Sequence, residues 1–293
     1  MSYNKNNIYP AVSANNLSQA LATHIVNLVR TGSGISVDPA NRGFLELRVS
    51  RRLRELQIQE FSDYESLLQG PDGQAELQNL VEMLATHTTS FFREKNHFDW
   101  LESEGLGAML KSGAGREWIL TIWSAACSIG SELWSAGMVV DQYAQTVRGG
   151  MRWQLIGTDI SRRILKVARN ATFTDAEIQG IDPQLHQKYV MRSKPNDGGS
   201  TLFRIVPELR QKAEFFLLNL TRPSPKFTPL ADVVFLRNVL IYFGADDRQA
   251  VLAGIIPRMR SGGYLLTGHS EHLSDLPRGL VQVGSSIYQK VAV

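Results

Sequence analysis

The sequence predicts an α/β fold: a parallel β-sheet with helices on both faces, preceded by an N-terminal all-helical domain. Two observations support this prediction. From about Leu17 to Gly115, apolar residues recur at steps of three and four, which is the spacing of one buried helix face. From about Arg116 onward, short apolar runs alternate with amphipathic stretches. Alternating strands and helices are typical of a parallel sheet whose connections are helical.

The N-terminal part is expected to contain a polar, flexible tail at residues 1–16 and a helical domain at residues 17–90. The buried face of its first helix is expected to comprise Leu17, Leu21, Ile25 and Leu28. Residues 44–56 form a second amphipathic helix, and a third helix follows with Ser62 as its N-cap. A Gly-Pro-Asp-Gly break at residues 70–73 separates it from a fourth helix.

The second domain is expected to span residues 91–293 and to contain the sheet. Short apolar runs without polar alternation predict strands that are covered on both faces. The candidate strands are residues 118–123, 153–158, 215–218, 233–236, 264–267 and 286–291. Between about residues 185 and 213, a turn-rich stretch followed by another apolar run interrupts the alternation, and it predicts a small antiparallel β insertion.

Composition excludes several classes of protein. Hydrophobic residues make up 43% of the chain and charged residues 20%, which is enough apolar mass for a core and too much for a disordered chain. Cys127 is the single cysteine, so no intramolecular disulfide can form, and we expect a cytoplasmic monomer. No apolar run is long enough to cross a membrane, so no membrane insertion is expected. A net charge of +3 spread over 293 residues does not indicate a nucleic-acid partner.

Candidate ligand-binding residues follow the first two strands of the predicted sheet, and open α/β sheets bind ligands at the carboxyl ends of their strands. The first strand leads into a stretch of small residues from Ala125 to Gly130, followed by Glu132, and the second strand ends in Asp159. Neither a dinucleotide nor a triphosphate motif is present. A glycine loop and an acid that can bind a ribose diol suggest a binding site for a nucleoside, with no loop that binds phosphate groups. S-adenosylmethionine fits that description. A turn glycine and a helix-capping aspartate are the structural alternatives.

Three longer stretches carry a family resemblance. Residues 86–98 (THTTSFFREKNHF), 234–243 (VFLRNVLIYF) and 262–271 (GGYLLTGHSE) resemble, in order and spacing, segments of the CheR chemotaxis methyltransferases. The resemblance implies a class I S-adenosylmethionine methyltransferase fold, Rossmann-like, with the N-terminal helical domain and the small β insertion. It also implies methyl transfer from S-adenosylmethionine to glutamate side chains of chemoreceptor helical bundles, giving glutamyl methyl esters in sensory adaptation.

The resemblance also implies a role for individual residues. The cofactor site would comprise His87, Thr89, Arg93, Ala125, Glu132, Asp159, Asn219, Leu220, Asn238 and Val239. Arg93 would bind the cofactor carboxylate, since a guanidinium fork suits that task, and Glu132 would face the amino group. Asp159 would bind the ribose, and Asn219 with Leu220 would line the adenine. Arg93 and Tyr242 would act as the catalytic pair by positioning the cofactor and the incoming carboxylate. A core aromatic residue is the alternative for Tyr242, and a salt link for Arg93.

The sequence departs from the family pattern at two places. His87 replaces the family's asparagine, and the glycine loop carries different residues. The loop replacements are Ile129, Ser131, Leu133 and Trp134. The apolar wall is kept, so we expect an altered but working pocket. A module of the same fold that binds the cofactor or the receptor with weak or no turnover is the alternative function.

Substrate docking is expected on the second helix, whose arginines suit an acidic helical surface. They are Arg48, Arg51, Arg52 and Arg54, although a run of this kind can also be only a solvated face. The family resemblance also implies a second docking platform for a receptor tail, at residues 191–206 of the insertion. A nucleic-acid methyltransferase is disfavoured because no Asn-Pro-Pro-Tyr-type motif is present. The histidines show no metal-binding spacing, so no metal is expected.

Overall fold

The computed structural model describes residues 17–193, 201–224, 226–273 and 275–292. The predicted tail at residues 1–16 lies outside the described residues. The chain divides into two compact units, Met1–Thr86 and His87–Val293. No helix of the described part is long and apolar enough to cross a membrane.

The first unit is built from four helices within its described residues: α1 (Gln19–Ser33), α2 (Arg42–Leu56), α3 (Phe61–Gln69) and α4 (Gly73–Leu84). Ser18 caps α1, since its hydroxyl accepts a hydrogen bond from the Leu21 N–H at 3.1 Å. The predicted Ser62 cap of α3 is wrong. The helix already begins at Phe61, so Ser62 lies inside its first turn and Glu60 occupies the N-cap position.

A buried carboxylate connects three helices of this unit. Glu76 on α4 is 5% exposed and accepts two hydrogen bonds from the Arg52 guanidinium of α2, at 2.8 and 2.7 Å. The Tyr64 hydroxyl of α3 donates to the same carboxylate at 2.8 Å, and the Asn79 amide donates at 3.1 Å. Burial opposes ionisation of Glu76, but the hydrogen bonds from Arg52, Asn79 and Tyr64 outweigh it and lower its pKa. Arg52 is therefore part of the internal structure of the helical unit.

The second unit contains the sheet and the remaining helices. Its helices within the described residues are α5 (Asn96–Trp100), α6 (Leu106–Lys111), α7 (Ser131–Thr146), α8 (Arg162–Asn170), α9 (Asp175–Ile178), α10 (Pro183–Tyr189), α11 (Pro207–Arg210) and α12 (Ala245–Ile255). Its strands are β1 (Leu120–Ala125), β2 (Trp153–Asp159), β3 (Thr172–Phe173), β4 (Val190–Arg192), β5 (Phe203–Ile205), β6 (Ala213–Leu217), β7 (Ala231–Leu236), β8 (Met259–Thr267), β9 (Leu280–Gly284) and β10 (Ile287–Lys290). A π-helical turn, Leu101–Gly105, connects α5 to α6.

Seven strands form the main sheet in the order β6-β2-β1-β7-β8-β10-β9. The strands from β6 to β8 pair in parallel, and every residue of β1 and β7 is buried, as their continuous apolar runs predict. The structure differs from a purely parallel sheet at one edge, where β10 runs antiparallel to both β8 and β9. A two-residue turn that includes Ser286, at φ 56°, joins β9 to β10, and such a short connection permits only an antiparallel pair.

A second sheet of three short strands, in the order β3-β5-β4, is antiparallel throughout. Strands β4 and β5 lie within the stretch where the sequence predicts an insertion, and β3 precedes it. Residues 194–200 between β4 and β5 lie outside the described residues. The Tyr189 hydroxyl, just before β4, donates to Asp141 of α7 at 2.8 Å and so ties this region to the helix that follows β1.

Candidate functional site

The loop between β1 and α7 is a tight turn at the carboxyl edge of the sheet. Ala126 and Ser128 both have positive φ, at 133° and 52°, and Gly130 precedes α7 at φ 91°. A Cβ atom on Gly130 would come within 2.8 Å of Trp134 Nε1. Glycine is therefore required here for both its φ and its lack of a side chain.

Asp159 ends β2 and organises this loop. Its side chain is buried, and its carboxylate accepts hydrogen bonds from the Ser128 N–H and the Ser161 N–H, both at 3.0 Å. Helix α8 is capped by the Ser161 hydroxyl, which accepts from the Ile164 N–H, so Asp159 is not the helix cap of the alternative interpretation. Burial raises the pKa of Asp159, and the nearby His87 opposes that rise.

The segment that begins the second unit passes over the same loop. The Ser128 hydroxyl donates to the His87 carbonyl at 2.8 Å, which brings His87 to the edge where Asp159 lies. Thr89 is half-buried. Arg93 is exposed, and its Nη1 donates to the Thr88 carbonyl at 3.1 Å. The structure therefore leaves most of the Arg93 guanidinium available at this edge.

Arg237 follows β7 and bridges two carboxylates. Its side chain is 1% exposed; Nη2 lies 3.2 Å from Glu94 Oε2, and Nη1 lies 3.4 Å from Glu132 Oε2. Nη2 also donates to the carbonyl of Arg93. Glu132, in the first turn of α7, accepts a hydrogen bond from the Ser124 hydroxyl of β1 at 2.7 Å. One buried guanidinium thus connects three segments that are far apart in the sequence.

The pKa values of Glu132 and Glu94 are shifted in opposite directions from their ordinary values. Burial raises the pKa of Glu132, and the positive charge of Arg237 only partly offsets this. Burial also acts to raise the pKa of Glu94, but the hydrogen bond from Asn238 and the charge of Arg237 outweigh it and lower that pKa. Glu132 was expected to face a cofactor amino group; in the structure its carboxylate already faces the Arg237 guanidinium.

The remaining candidate residues also lie at the carboxyl ends of strands. Asn238 and Val239 follow β7, with Asn238 at φ 55°, and Tyr242 ends the 3₁₀ turn Leu240–Tyr242 and is half-buried. The Asn238 amide donates to Glu94 Oε1 at 3.1 Å. Asn219 and Leu220 follow β6.

The end of β6 is fixed to the end of β2. The Leu218 N–H donates to the Asp159 carbonyl at 2.9 Å, which places Asn219 and Leu220 directly after this contact. The Asn219 side-chain oxygen accepts from the N–H and the hydroxyl of Thr221, at 3.0 and 2.8 Å, and Leu220 is buried. The carboxyl edge of the sheet thus brings these residues to the strand end that carries Asp159.

Sequence reasoning assigned no role to Arg237, Glu94 or Glu271, although all three lie inside the segments that carry the family resemblance. The available signal was an arginine that directly follows the apolar run Val233–Leu236 of β7. Such a residue is buried and needs acidic partners. The sequence does not show which acids those are.

Glu94, His97 and His269 offer side-chain atoms that lie within 4.8 Å of one another, which is a geometry that can hold a metal ion. Burial lowers the pKa of His97 to about 4, so its imidazole is neutral near pH 7. The oxygen that Glu94 presents to both imidazoles is also the one that lies 3.2 Å from Arg237. A cation bound there would meet the guanidinium, so the electrostatics of this cluster oppose metal binding.

The four arginines of α2 have different environments. Arg51 is exposed and pairs with Glu55 at 3.3 Å, and exposed Arg54 donates to the Ser50 carbonyl at 3.2 Å. The Arg48 guanidinium lies 5.2 Å from the centre of the Phe44 ring. Arg52, by contrast, is bound to Glu76 inside the helical unit.

Comparison with known proteins places both units in one group. Residues 87–288 match the family model described as "CheR methyltransferase, SAM binding domain", and residues 23–85 match "CheR methyltransferase, all-alpha domain". The chain is 33% identical over 273 residues to the chemotaxis protein methyltransferase of Escherichia coli (strain K12), covering 93% of this chain and 91% of the relative. Its counterpart in Salmonella typhimurium is 32% identical, covering 93% and 90%. Chemotaxis protein methyltransferase 1 of Pseudomonas aeruginosa is 34% identical, covering 68% and 70%.

These matches and the order of the seven-stranded sheet confirm the expected fold class, a class I S-adenosylmethionine methyltransferase with an N-terminal all-helical domain. The residues at the carboxyl edge fit this cofactor. Asp159 supplies a buried carboxylate at the end of β2, and the turn at Gly130 has no room for a side chain. The expected cofactor, S-adenosylmethionine, is confirmed by the same family match.

Proposed function

Since this chain belongs to the CheR methyltransferase family and is an S-adenosylmethionine-dependent methyltransferase, we propose that it methylates glutamate side chains in the cytoplasmic helical bundle of a chemoreceptor. The product is a glutamyl methyl ester. The family match over residues 87–288 is the observation that carries this proposal, and several similar relatives are named chemotaxis protein methyltransferases. A cytoplasmic location and a monomeric state belong to the same proposal.

Individual residues have the following proposed roles. Asp159 binds the ribose hydroxyls, because its buried carboxylate ends β2 at the carboxyl edge of the sheet, where open α/β sheets bind their ligands. Arg93 binds the cofactor carboxylate with a guanidinium that is mostly free. The proposed contacts with the rest of the cofactor come from His87, Thr89, Ala125, Glu132, Asn219, Leu220, Asn238 and Val239.

The proposed chemistry needs little proton transfer. S-adenosylmethionine supplies a methyl carbon bonded to a positively charged sulfur. A receptor glutamate has an ordinary pKa of about 4.3, so its carboxylate is ionised near neutral pH and the protein needs no general base. The protein then has to align the methyl carbon with the receptor carboxylate and to exclude water. Arg93 and Tyr242, at the carboxyl edge of the sheet, perform both functions in this proposal.

The proposed docking surface for the receptor is the outer face of α2, defined here as Leu47, Arg48, Arg51 and Arg54. Leu47 is 66% exposed among these arginines, so the surface combines positive charge with an apolar contact. It complements a helix rich in glutamate. Arg52 is left out of this surface because its guanidinium is bound to Glu76.

The function is tested by incubating the protein with labelled S-adenosylmethionine and cytoplasmic fragments of chemoreceptors from the same cell. We expect label in the fragment as a base-labile ester, and none in a fragment whose glutamates at the modified positions are replaced by alanine. Binding of S-adenosylhomocysteine without base-labile label in any receptor fragment would contradict the proposal and favour a binding module.

Reversing the charge of the docking surface is expected to weaken receptor methylation without affecting the cofactor. The double variant Arg51→Glu, Arg54→Glu should lower kcat/KM for the receptor fragment about tenfold, because it places like charges opposite the acidic helix. The rate of the wild type should fall with added salt. Steady-state kinetics and calorimetry with S-adenosylhomocysteine measure the two effects.

Two control variants separate docking from stability. Arg30→Glu, an exposed arginine of α1, should leave kcat/KM unchanged. Arg52→Met should instead lower the thermal stability of the helical unit, because it leaves the buried Glu76 carboxylate without its guanidinium partner. Equal losses of kcat/KM in Arg30→Glu and in the double variant would exclude the proposed surface.

A further inference from the structure

Glu271 lies just after β8, and its carboxylate is almost fully enclosed. It is 5% exposed and accepts three backbone hydrogen bonds. Oε2 accepts from the Asn238 N–H at 2.6 Å and from the Gly268 N–H at 2.8 Å, and Oε1 accepts from the Ile241 N–H at 3.2 Å. Such a set of donors holds a carboxylate in one orientation.

Two of these donors, the N–H groups of Asn238 and Ile241, belong to the segment after β7 that carries the proposed site residues Asn238, Val239 and Tyr242. Asn238 has a φ of 55°, a conformation that side-chain-bearing residues adopt rarely, and Ile241 lies within the 3₁₀ turn. A single carboxylate therefore fixes the backbone on both sides of Val239 and Leu240. The side chains of Asn238 and Tyr242 extend from this fixed segment.

The loop after β8, which carries Gly268 and Glu271, lies very close to the segment after β7, which carries Asn238. A Cβ atom on Gly268 would lie 2.6 Å from Glu271 Oε2, 2.8 Å from Asn238 Nδ2 and 3.0 Å from the Asn238 backbone nitrogen. Asn238 in turn donates its amide to Glu94, which pairs with Arg237. Displacement of Glu271 would thus move both Asn238 and the contacts that Asn238 makes.

We propose that Glu271 is a positioning residue for methyl transfer: by accepting the N–H groups of Asn238 and Ile241, it holds Asn238 against the cofactor and Tyr242 beside the incoming carboxylate, and it contacts neither substrate itself. This inference rests on the proposed roles of Asn238 and Tyr242. It adds a residue whose effect on the reaction passes entirely through the backbone.

Asp232 provides a matched control at the other end of β7. It is 3% exposed, and its carboxylate accepts from the Thr121 N–H at 2.8 Å and from the Trp118 indole N–H at 2.9 Å. It also lies 3.3 Å from Arg260. Both acids are buried and bind backbone donors, but only Glu271 lies at the carboxyl edge.

The test compares Glu271→Gln with Asp232→Asn in the full chain. The glutamine oxygen can still accept two of the N–H groups, but its amide group then faces the Ile241 N–H, so donor meets donor. Both variants should have lower melting temperatures. Glu271→Gln should raise the Kd for S-adenosylhomocysteine about tenfold and lower kcat about 10- to 100-fold, whereas Asp232→Asn should change neither by more than about twofold.

Gly268→Ala is a second variant that crowds Glu271 and Asn238 without changing any charge, and it should reproduce the losses of Glu271→Gln. Wild-type Kd and kcat in a folded Glu271→Gln protein would overturn the proposal, and so would equal losses in Asp232→Asn. The Kd is measured without any receptor. A wild type that binds S-adenosylhomocysteine but methylates no receptor would therefore refute the proposed function and still leave the Kd comparison to decide the role of Glu271.

Discussion

Replacement of Arg237 by methionine is expected to lower the free energy of unfolding by about 3–5 kcal/mol. The guanidinium is buried between Glu94 and Glu132, at 3.2 and 3.4 Å, and methionine removes its charge while keeping much of its length. Two mostly enclosed carboxylates then face each other without a cation. Urea denaturation, monitored by tryptophan fluorescence, measures the loss.

The loss should shrink as the pH falls. Burial raises the pKa of Glu132, whereas the pKa of Glu94 is lowered partly by the charge of Arg237; without Arg237, the pKa values of both acids should be higher than in the wild type. A carboxyl group whose pKa is higher in the folded than in the unfolded state destabilises the fold as the pH rises above the unfolded value. The difference between variant and wild type should therefore be largest near neutral pH and smaller toward about pH 5. Arg237→Lys keeps the charge but not the planar, forked arrangement of donors, so its free energy of unfolding should fall by less. A difference in stability that does not depend on pH would contradict this electrostatic account.

Replacement of Arg93 by alanine is expected to raise the Kd for S-adenosylhomocysteine about 10- to 100-fold while leaving the melting temperature unchanged. A hydrogen bond to a charged group contributes about 1.5–3 kcal/mol, and about 1.4 kcal/mol corresponds to a factor of ten in affinity. The Arg93 side chain is exposed and, among the described residues, its guanidinium donates to the Thr88 carbonyl alone, so the fold should tolerate its removal. Calorimetry measures the affinity.

Two further variants make this result specific. Arg93→Lys should bind with intermediate affinity, because it keeps the charge and loses the bidentate geometry. Arg116→Ala, an exposed arginine that precedes β1 and so lies away from the carboxyl edge, should bind as the wild type does. Unchanged affinity in Arg93→Ala would remove Arg93 from the cofactor site.

The strands of the sheet could be predicted where the sequence contains a short, mostly apolar run without polar alternation. β1 and β7 are buried along their whole length, so burial leaves an unambiguous pattern. β9 was missed because it is an edge strand with Val281 and Val283 exposed at 40% and 49%, and its pattern does not differ from that of a loop. Its antiparallel hairpin with β10 depends on the short turn at Ser286, which carries no strong turn signal.

The candidate site was predictable only in part. The position of Asp159 follows from the rule that ligands bind at the carboxyl ends of parallel strands, whereas Asn238 was expected only from the family resemblance. The partners of Arg237 follow from neither, since Glu94 and Glu132 come from segments far away in the sequence, and their approach is set by packing. Likewise, nothing in the spacing of the α2 arginines distinguishes Arg52, because its partner Glu76 lies on another helix.

Within α2, one arginine stabilises the fold and three others face outward, and this difference has a consequence for how such enzymes diverge. Positions 48, 51 and 54 have no side-chain bond to a buried group among the described contacts, so substitutions there can accumulate without loss of folding. Arg52 cannot change alone, because Glu76 would then lose its counter-ion. In the docking mode proposed above, a duplicated gene can thus acquire a new target preference through the outer positions of α2 while Arg52 stays the same.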